Sequence, residues 1–180
     1  MSLKEKYQKE IKAKLKEQFN YTNDHQIPKV LKVVVNVGFG RNVKDKDLIE
    51  AVGKTLTKIS GQKPVFTKSK KSISAFKIRE GMVIGAAVTM RGPRMYDFLD
   101  KLVNATFPRV RDFRGIKKTC IDRNGNLTVG FKEHIAFPEI KVEETDTIHG
   151  LEVSVATSAK NKEEGLALLK LIGFPFKEED

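Results

Sequence analysis

The chain has no tryptophan and a single cysteine, and its acids fall well short of its bases. Cys120, being alone, excludes an internal disulfide and any zinc site built from several cysteines. Against 34 Lys+Arg stand only 23 Asp+Glu, a net charge of +11 and a pI of about 9.7. A surplus of that size points to a polyanion, with nucleic acid ahead of an acidic membrane. No apolar run approaches the roughly 18 residues of a membrane span. The segment MSLKEKYQKEIKAK is charged from residue 4 and lacks the apolar centre of a signal peptide. The expectation is a cytoplasmic protein with no membrane partner.

Catalytic motifs are equally scarce. GFGRNV (38–43) has Val43 where G-x-G-x-x-G needs its third glycine, and no G-x-x-x-x-G-K-[ST] occurs. His25, His134 and His149 are scattered, none beside a Ser or Cys motif. Nothing calls for a metal or a cofactor, and the expectation is a protein that is not an enzyme. One enzymatic rival stays open, an acylphosphatase-like use of Arg41 and Asn36, although no anion-binding loop supports it.

What is present is periodic. With 180 residues and 39% hydrophobic content, the chain suits one globular domain. Leu3, Tyr7, Ile11, Leu15 and Phe19 recur every four residues and predict a first helix with a narrow apolar stripe. Pro28 precedes a strand over 30–37. Leu48, Ala51, Val52, Leu56 and Ile59 share one face of a helix that Gly61 stops. QKPVFTKS reads as a short second strand, KKSISAFKIREG as a long basic loop, and 82–92 as a third strand. Pro93 opens a helix with Met95, Phe98, Leu99, Leu102 and Val103 on its core face, and Pro108 is expected to end it. The segment 109–121 is ambiguous, with Cys120 reading as a strand residue. RNGN (123–126) is a hairpin signal before the strand LTVGF, and LEVSVAT (151–157) is the last strand. Asn161 and Glu164 form a capping box for a final helix closed by Gly173. The order implies an α+β fold: an antiparallel sheet with a ferredoxin-like split βαβ core, helices on one face and the other face open.

Sorting each strand by parity gives that open face its chemistry. In the first strand Leu31, Val33, Val35 and Val37 fall on one side, and Lys32, Val34, Asn36 and Gly38 on the other. In the third, Gly85, Ala87, Thr89 and Arg91 lie opposite Ile84, Ala86, Val88 and Met90. Thr128 and Gly130, and then Glu152, Ser154 and Ala156, continue the pattern. Small and hydrogen-bonding residues in place of long charged ones mark a surface that something approaches closely. Two basic clusters accompany it. Residues 63–79 hold Lys63, Lys68, Lys70, Lys71, Lys77 and Arg79 with no acid, and 109–118 hold Arg109, Arg111, Arg114, Lys117 and Lys118 against one Asp. Such clusters suit phosphate contacts. EIKVEETD (139–146) is their acidic counterpart and suits a basic protein.

IPKVLKVVVNVGFG, ISGQKPVFTKSKKSISAFKIREG, VTMRG and NLTVGFKEHIAFPEI, in this order, resemble the family of the bacterial fifth large-subunit ribosomal protein. The resemblance covers nearly the whole chain. It implies a structural constituent of the large ribosomal subunit that binds 5S rRNA in the central protuberance, beside large-subunit rRNA. It carries the family's polar contacts to Asn36, Gln62 and Thr89, with Gln62 beginning the second strand; Lys32, Gly38 and Arg91 join them from the open face. The basic loop corresponds to the family's contact with P-site tRNA, through Lys70, Lys71, Ser72, Lys77 and Arg79. An intersubunit bridge to a basic protein of the small-subunit head is expected from 109–146, with Arg109, Arg111, Arg114, Glu143 and Glu144 as its candidates. Open positions in the first and third strands lack aromatics, so recognition is expected by shape and hydrogen bonds rather than stacking, with Phe39 and Phe66 as candidate exceptions. A general single-strand RNA chaperone is the other rival, and it lacks the aromatic platform such a protein needs.

Overall fold

A computed structural model describes residues 2–40, 45–141 and 147–177. Among the described residues, five strands, β1 (Val30–Gly38), β2 (Val65–Lys68), β3 (Val83–Met90), β4 (Leu127–Phe131) and β5 (Leu151–Thr157), form one sheet in the order β2-β3-β1-β5-β4. Strands β1 and β2 are joined through helix α2 (Lys46–Ser60), and β3 lies between them, which is the split βαβ arrangement. The sheet is antiparallel: Val65 faces Ala87 and Phe66 faces Ala86 across β2 and β3. Phe39 N–H donates to the Ile84 carbonyl at 3.0 Å, and Ser158 N–H to the Lys29 carbonyl at 2.9 Å, so each end of β1 meets the opposite end of its neighbour. The expected α+β class is therefore what the chain adopts. Among the described residues, no helix is long and apolar enough to cross a membrane.

Contacts group the chain into two compact units. The first comprises Met1–Val33, Met90–Val129 and Ser154–Asp180; the second comprises Val34–Thr89 and Gly130–Val153.

In the first unit, helix α1 starts at a capping box in which Ser2 and Glu5 satisfy each other's backbone N–H. It runs through an α segment (Leu3–Lys6), a π-helical turn (Tyr7–Ile11) and a second α segment (Lys12–Phe19). The predicted stripe buries Leu3, Ile11 and Leu15. The Tyr7 hydroxyl donates to the Pro28 carbonyl at 3.0 Å, and burial, reinforced by Tyr96, raises its pKa to about 12. Helix α3 begins at Gly92–Lys101 with Pro93 in its first turn. It does not end at Pro108: a π-helical segment, Leu102–Thr106, leads into a last turn, Phe107–Arg109. The wider π turn relieves the clash that a proline ring makes with the preceding turn. Phe107 packs against Phe113 (5.2 Å between ring centroids) and Phe174 (5.9 Å). Cys120 lies in a 3₁₀ turn, Lys118–Cys120, rather than a strand.

The Asn-Gly signal is a tight turn organised by Asp122, whose carboxylate accepts from Asn124 N–H, Asn126 N–H and the Asn126 side chain at 2.8–2.9 Å. Burial works against its charge, but those bonds prevail and lower its pKa. Helix α4 (Lys162–Ile172) is capped by Asn161, whose side chain accepts from Glu164 N–H at 2.8 Å. The return bond from Glu164 goes to Lys160 N–H instead of to the cap residue, so the expected box is displaced by one position.

In the second unit, α2 buries Leu48, Val52, Leu56 and Ile59, with Asp45 capping its start and Gly61 in the left-handed region closing it. Strand β1 buries Val35, Val37 and the following Phe39. Burial departs from parity at its beginning. In the part of β1 that belongs to the first unit, Val30 and Val33 are both buried while Leu31 and Lys32 are both exposed, so Leu31 lies outside the core although it shares the parity of Val33.

Gly125 and Gly165 meet closely in the first unit. A Cβ on Gly165 would collide with the backbone of Gly125, and a Cβ on Gly125 would lie 2.7 Å from that of Ala159. Helix propensity alone favours alanine at 165 by about 1 kcal/mol. Overpacking against backbone outweighs it, so Gly165→Ala should lower stability by roughly 1–3 kcal/mol in urea unfolding, whereas a gain would refute the close approach.

Candidate nucleic-acid interface

Asn36 sits between two fully enclosed core residues. Val35 and Val37 point into the core, so the Asn36 side chain emerges on the other side of β1, where it is partly buried. Its Nδ2 donates to Glu152 Oε1 on β5 at 3.1 Å. Thr89, on the neighbouring β3, alternates in the same way with buried Val88 and Met90 and is exposed. Gly38 and Gly130 leave open space at their strand positions, with nothing within 4 Å of a Cβ built there. Val65 adds an apolar surface that is 70% exposed.

Gly85 behaves differently from the expected permissive glycine. A Cβ there would meet Thr67 Oγ1 at 2.9 Å and the Val37 carbonyl at 3.0 Å, so the space it frees is taken by the protein's own strands. Phe39 is buried and offers no stacking surface. Phe66 is partly exposed, and the end of its ring lies 3.1 Å from the Cβ position of Gly53 on α2. Gln62 does not begin a strand. It follows the left-handed Gly61 in the turn after α2, its N–H donating to Ser60 Oγ and its carbonyl accepting from that hydroxyl, both at 3.2 Å.

The basic loop is a built hairpin. Ser69 N–H donates to the Met82 carbonyl at 2.8 Å, and Ile73 and Ile78 exchange backbone bonds at 2.8 and 3.1 Å. A 3₁₀ turn, Ser74–Phe76, and Lys77 in the left-handed region reverse the chain. Lys70, Lys71, Ser72, Lys77 and Arg79 are all exposed on it, and Phe76 is 65% exposed. Ser72 Oγ accepts from Glu80 N–H at 3.0 Å.

The second unit thus carries Asn36, Gly38, Gln62, Thr89 and the hairpin residues. Lys32, Arg91, Arg109, Arg111 and Arg114 belong to the first unit, and all five are exposed. On the first unit's strands Thr128 is exposed, its Oγ1 3.4 Å from Ser154 Oγ. Arg41, Glu143 and Glu144 lie outside the described residues.

Two features escaped the sequence reading. Glu152 fell on the open face but carried no role. His134 and His149, fifteen positions apart, are not scattered: their rings stack at 4.1 Å with 7° between planes. His134 N–H donates to the His149 carbonyl at 3.1 Å, and His149 N–H to His134 Nδ1 at 3.2 Å. Only the folded approach of the 3₁₀ turn His134–Ala136 to the start of β5 creates this pair. A cavity of about 530 Å³ beside it is lined by Val37, Phe39, Leu48, Phe76, Ile148 and His149 among others, with no acid and no nucleophile among its described walls.

Burial lowers the pKa of both imidazoles. The backbone bond to His149 and the charge of Glu133 oppose this at His134, whereas His134 reinforces it at His149. The unfolded chain therefore binds protons more readily. The pair stabilises fully above the ordinary value of 6.5, and its contribution fades as pH falls below it. The urea midpoint should drop between about pH 7.5 and 5.5 and drop less in His134→Gln; equal slopes in the two proteins would refute this contribution.

Residues 23–79 match the family described as "Ribosomal protein L5", and residues 83–176 match the model of the C-terminus of that ribosomal family. The chain is similar to "Large ribosomal subunit protein uL5" of Desulforapulum autotrophicum, 53% identical over 176 residues and covering 98% of each chain. The protein of that name from Halothermothrix orenii is 52% identical over 176 residues, with 98% of each chain covered. That from Microcystis aeruginosa is 51% identical over 175 residues, 97% of this chain and 98% of its own.

Proposed function

The chain belongs to the ribosomal protein L5 family, and from that premise we propose that it is a non-enzymatic, structural constituent of the large ribosomal subunit in the cytoplasm, anchoring 5S rRNA in the central protuberance. The observation that carries the reading is Asn36, held at the surface between two buried valines with Thr89 on the adjacent strand. An amide and a hydroxyl at fixed positions on a sheet read ribose and base edges by hydrogen bonding, and they need no aromatic platform. Gln62 supplies a further polar contact from the turn before β2, and Gly38 leaves room for a backbone to approach. Lys32 and Arg91 add charge beside neighbouring rRNA.

The hairpin has a different partner in this reading. Lys70, Lys71, Ser72, Lys77 and Arg79 reach P-site tRNA as point charges on a preformed turn. Arg109, Arg111 and Arg114 contribute to a bridge with the small-subunit head, whose basic protein takes Glu143 and Glu144.

Purified protein titrated with 5S RNA and with a size-matched unrelated RNA, across a salt series, tests the proposal. Asn36→Ala and Thr89→Ala should each weaken 5S binding by roughly 1–3 kcal/mol. Removing the charges of Lys70 and Lys71 should leave 5S affinity nearly intact. Equal binding of both RNAs, fading together as salt rises, would reduce the interaction to non-specific charge.

A further inference from the structure

A carboxylate on the face of a basic protein that meets RNA needs a reason. Glu152 is exposed, and its Oε1 accepts from Asn36 Nδ2 at 3.1 Å within the second unit. A carboxylate only accepts, so it engages the amino end of the amide. The carbonyl end of Asn36 is thereby turned away from Glu152, and the side chain loses the freedom to present either end outward. Ala87, Thr89, Thr67 and Val65, on β3 and β2 of the same unit, carry no charge. The strongly basic hairpin of the same unit, with Lys70, Lys71, Lys77 and Arg79, is a separate element.

We propose that Glu152 is a positioning residue of the RNA interface. It sets the Asn36 amide with its carbonyl toward the partner, and it rejects phosphate at that point in favour of donors such as ribose hydroxyls and exocyclic base amines. The inference rests on the reading that this face binds 5S rRNA. Its physical basis is twofold. A phosphate beside Asn36 would meet like charge, whereas a hydroxyl or amine would meet an oriented pair of acceptors. The shallow minor groove of an A-form helix displays such donors, while its phosphates line the rims.

The test measures affinity of the full chain for 5S RNA and for the unrelated RNA in wild type, Glu152→Ala, Glu152→Gln, Asn36→Ala and the Asn36→Ala/Glu152→Ala double variant. Glu152→Ala should weaken 5S binding about threefold to tenfold and tighten unrelated RNA roughly twofold, so that discrimination collapses from both sides. Glu152→Gln keeps an acceptor for Asn36; it should retain most 5S affinity while sharing the tighter binding of unrelated RNA. In the double variant the loss for 5S should equal that of Asn36→Ala alone, because there is no amide left to orient. Additive losses, or an equal tightening of both RNAs in Glu152→Ala, would overturn the positioning role. If Asn36→Ala weakens 5S binding and Glu152→Ala behaves as wild type, this inference fails and the proposed function stands. If wild type itself does not prefer 5S, both fall.

Discussion

Val35 and Val37, both enclosed in the core, determine what β1 shows on its other side. A strand has a side-chain period of two, so a slip of one residue would bury Asn36 and expose both valines. Burying an unpaired amide would cost more than the valines could offset, and the register is therefore held strongly. Phe39 and the helix α2 residues Leu48, Val52, Leu56 and Ile59 extend the same apolar demand through the second unit. The polar face is thus a by-product of the core: the place of Asn36 on the outer side of β1 is maintained by buried residues.

The distribution of charge follows a related logic. A net +11 would, if spread evenly, make every surface attractive to every polyanion. Instead Gly38, Val65, Ala87 and Thr89 on the second unit's strands carry no charge, while lysines and arginines gather from Lys68, at the end of β2, along the hairpin and in the segment 109–118. Charged side chains and uncharged hydrogen-bonding ones are thereby carried by different residues.

The strands and helices were legible wherever burial is one-sided. LEVSVAT and LTVGF span residues 151–157 and 127–131 in the structure as in the pattern, because alternation there is uninterrupted. Leu31 shares the parity of Val33 yet is 47% exposed, because parity assigns a side of the strand and not the depth of cover over it. Gln62 was drawn into β2 although the left-handed Gly61 holds it in a turn. Pro108 read as a stop because the π-helical turn that accommodates it has no distinctive sequence signal. Gly85 read as a gap for a partner, and only tertiary distances reveal that Thr67 and Val37 occupy it. Alternation placed Asn36, Thr89 and Glu152 on the side of their strands away from the buried valines, which is where they lie. It did not reveal that Asn36 and Glu152 bond to each other, nor that His134 and His149 stack, since both pairings arise between segments distant along the chain.

The paired backbone bonds between Ile73 and Ile78 have a thermodynamic consequence for whatever meets the hairpin. A loop that orders only on contact surrenders conformational entropy at that moment, and its association shows the large heat-capacity change of coupled folding. Here that ordering belongs to the folding of the protein itself. A ligand of the hairpin would meet a turn already closed by its own backbone bonds, so the ordering of that turn would not be charged to association.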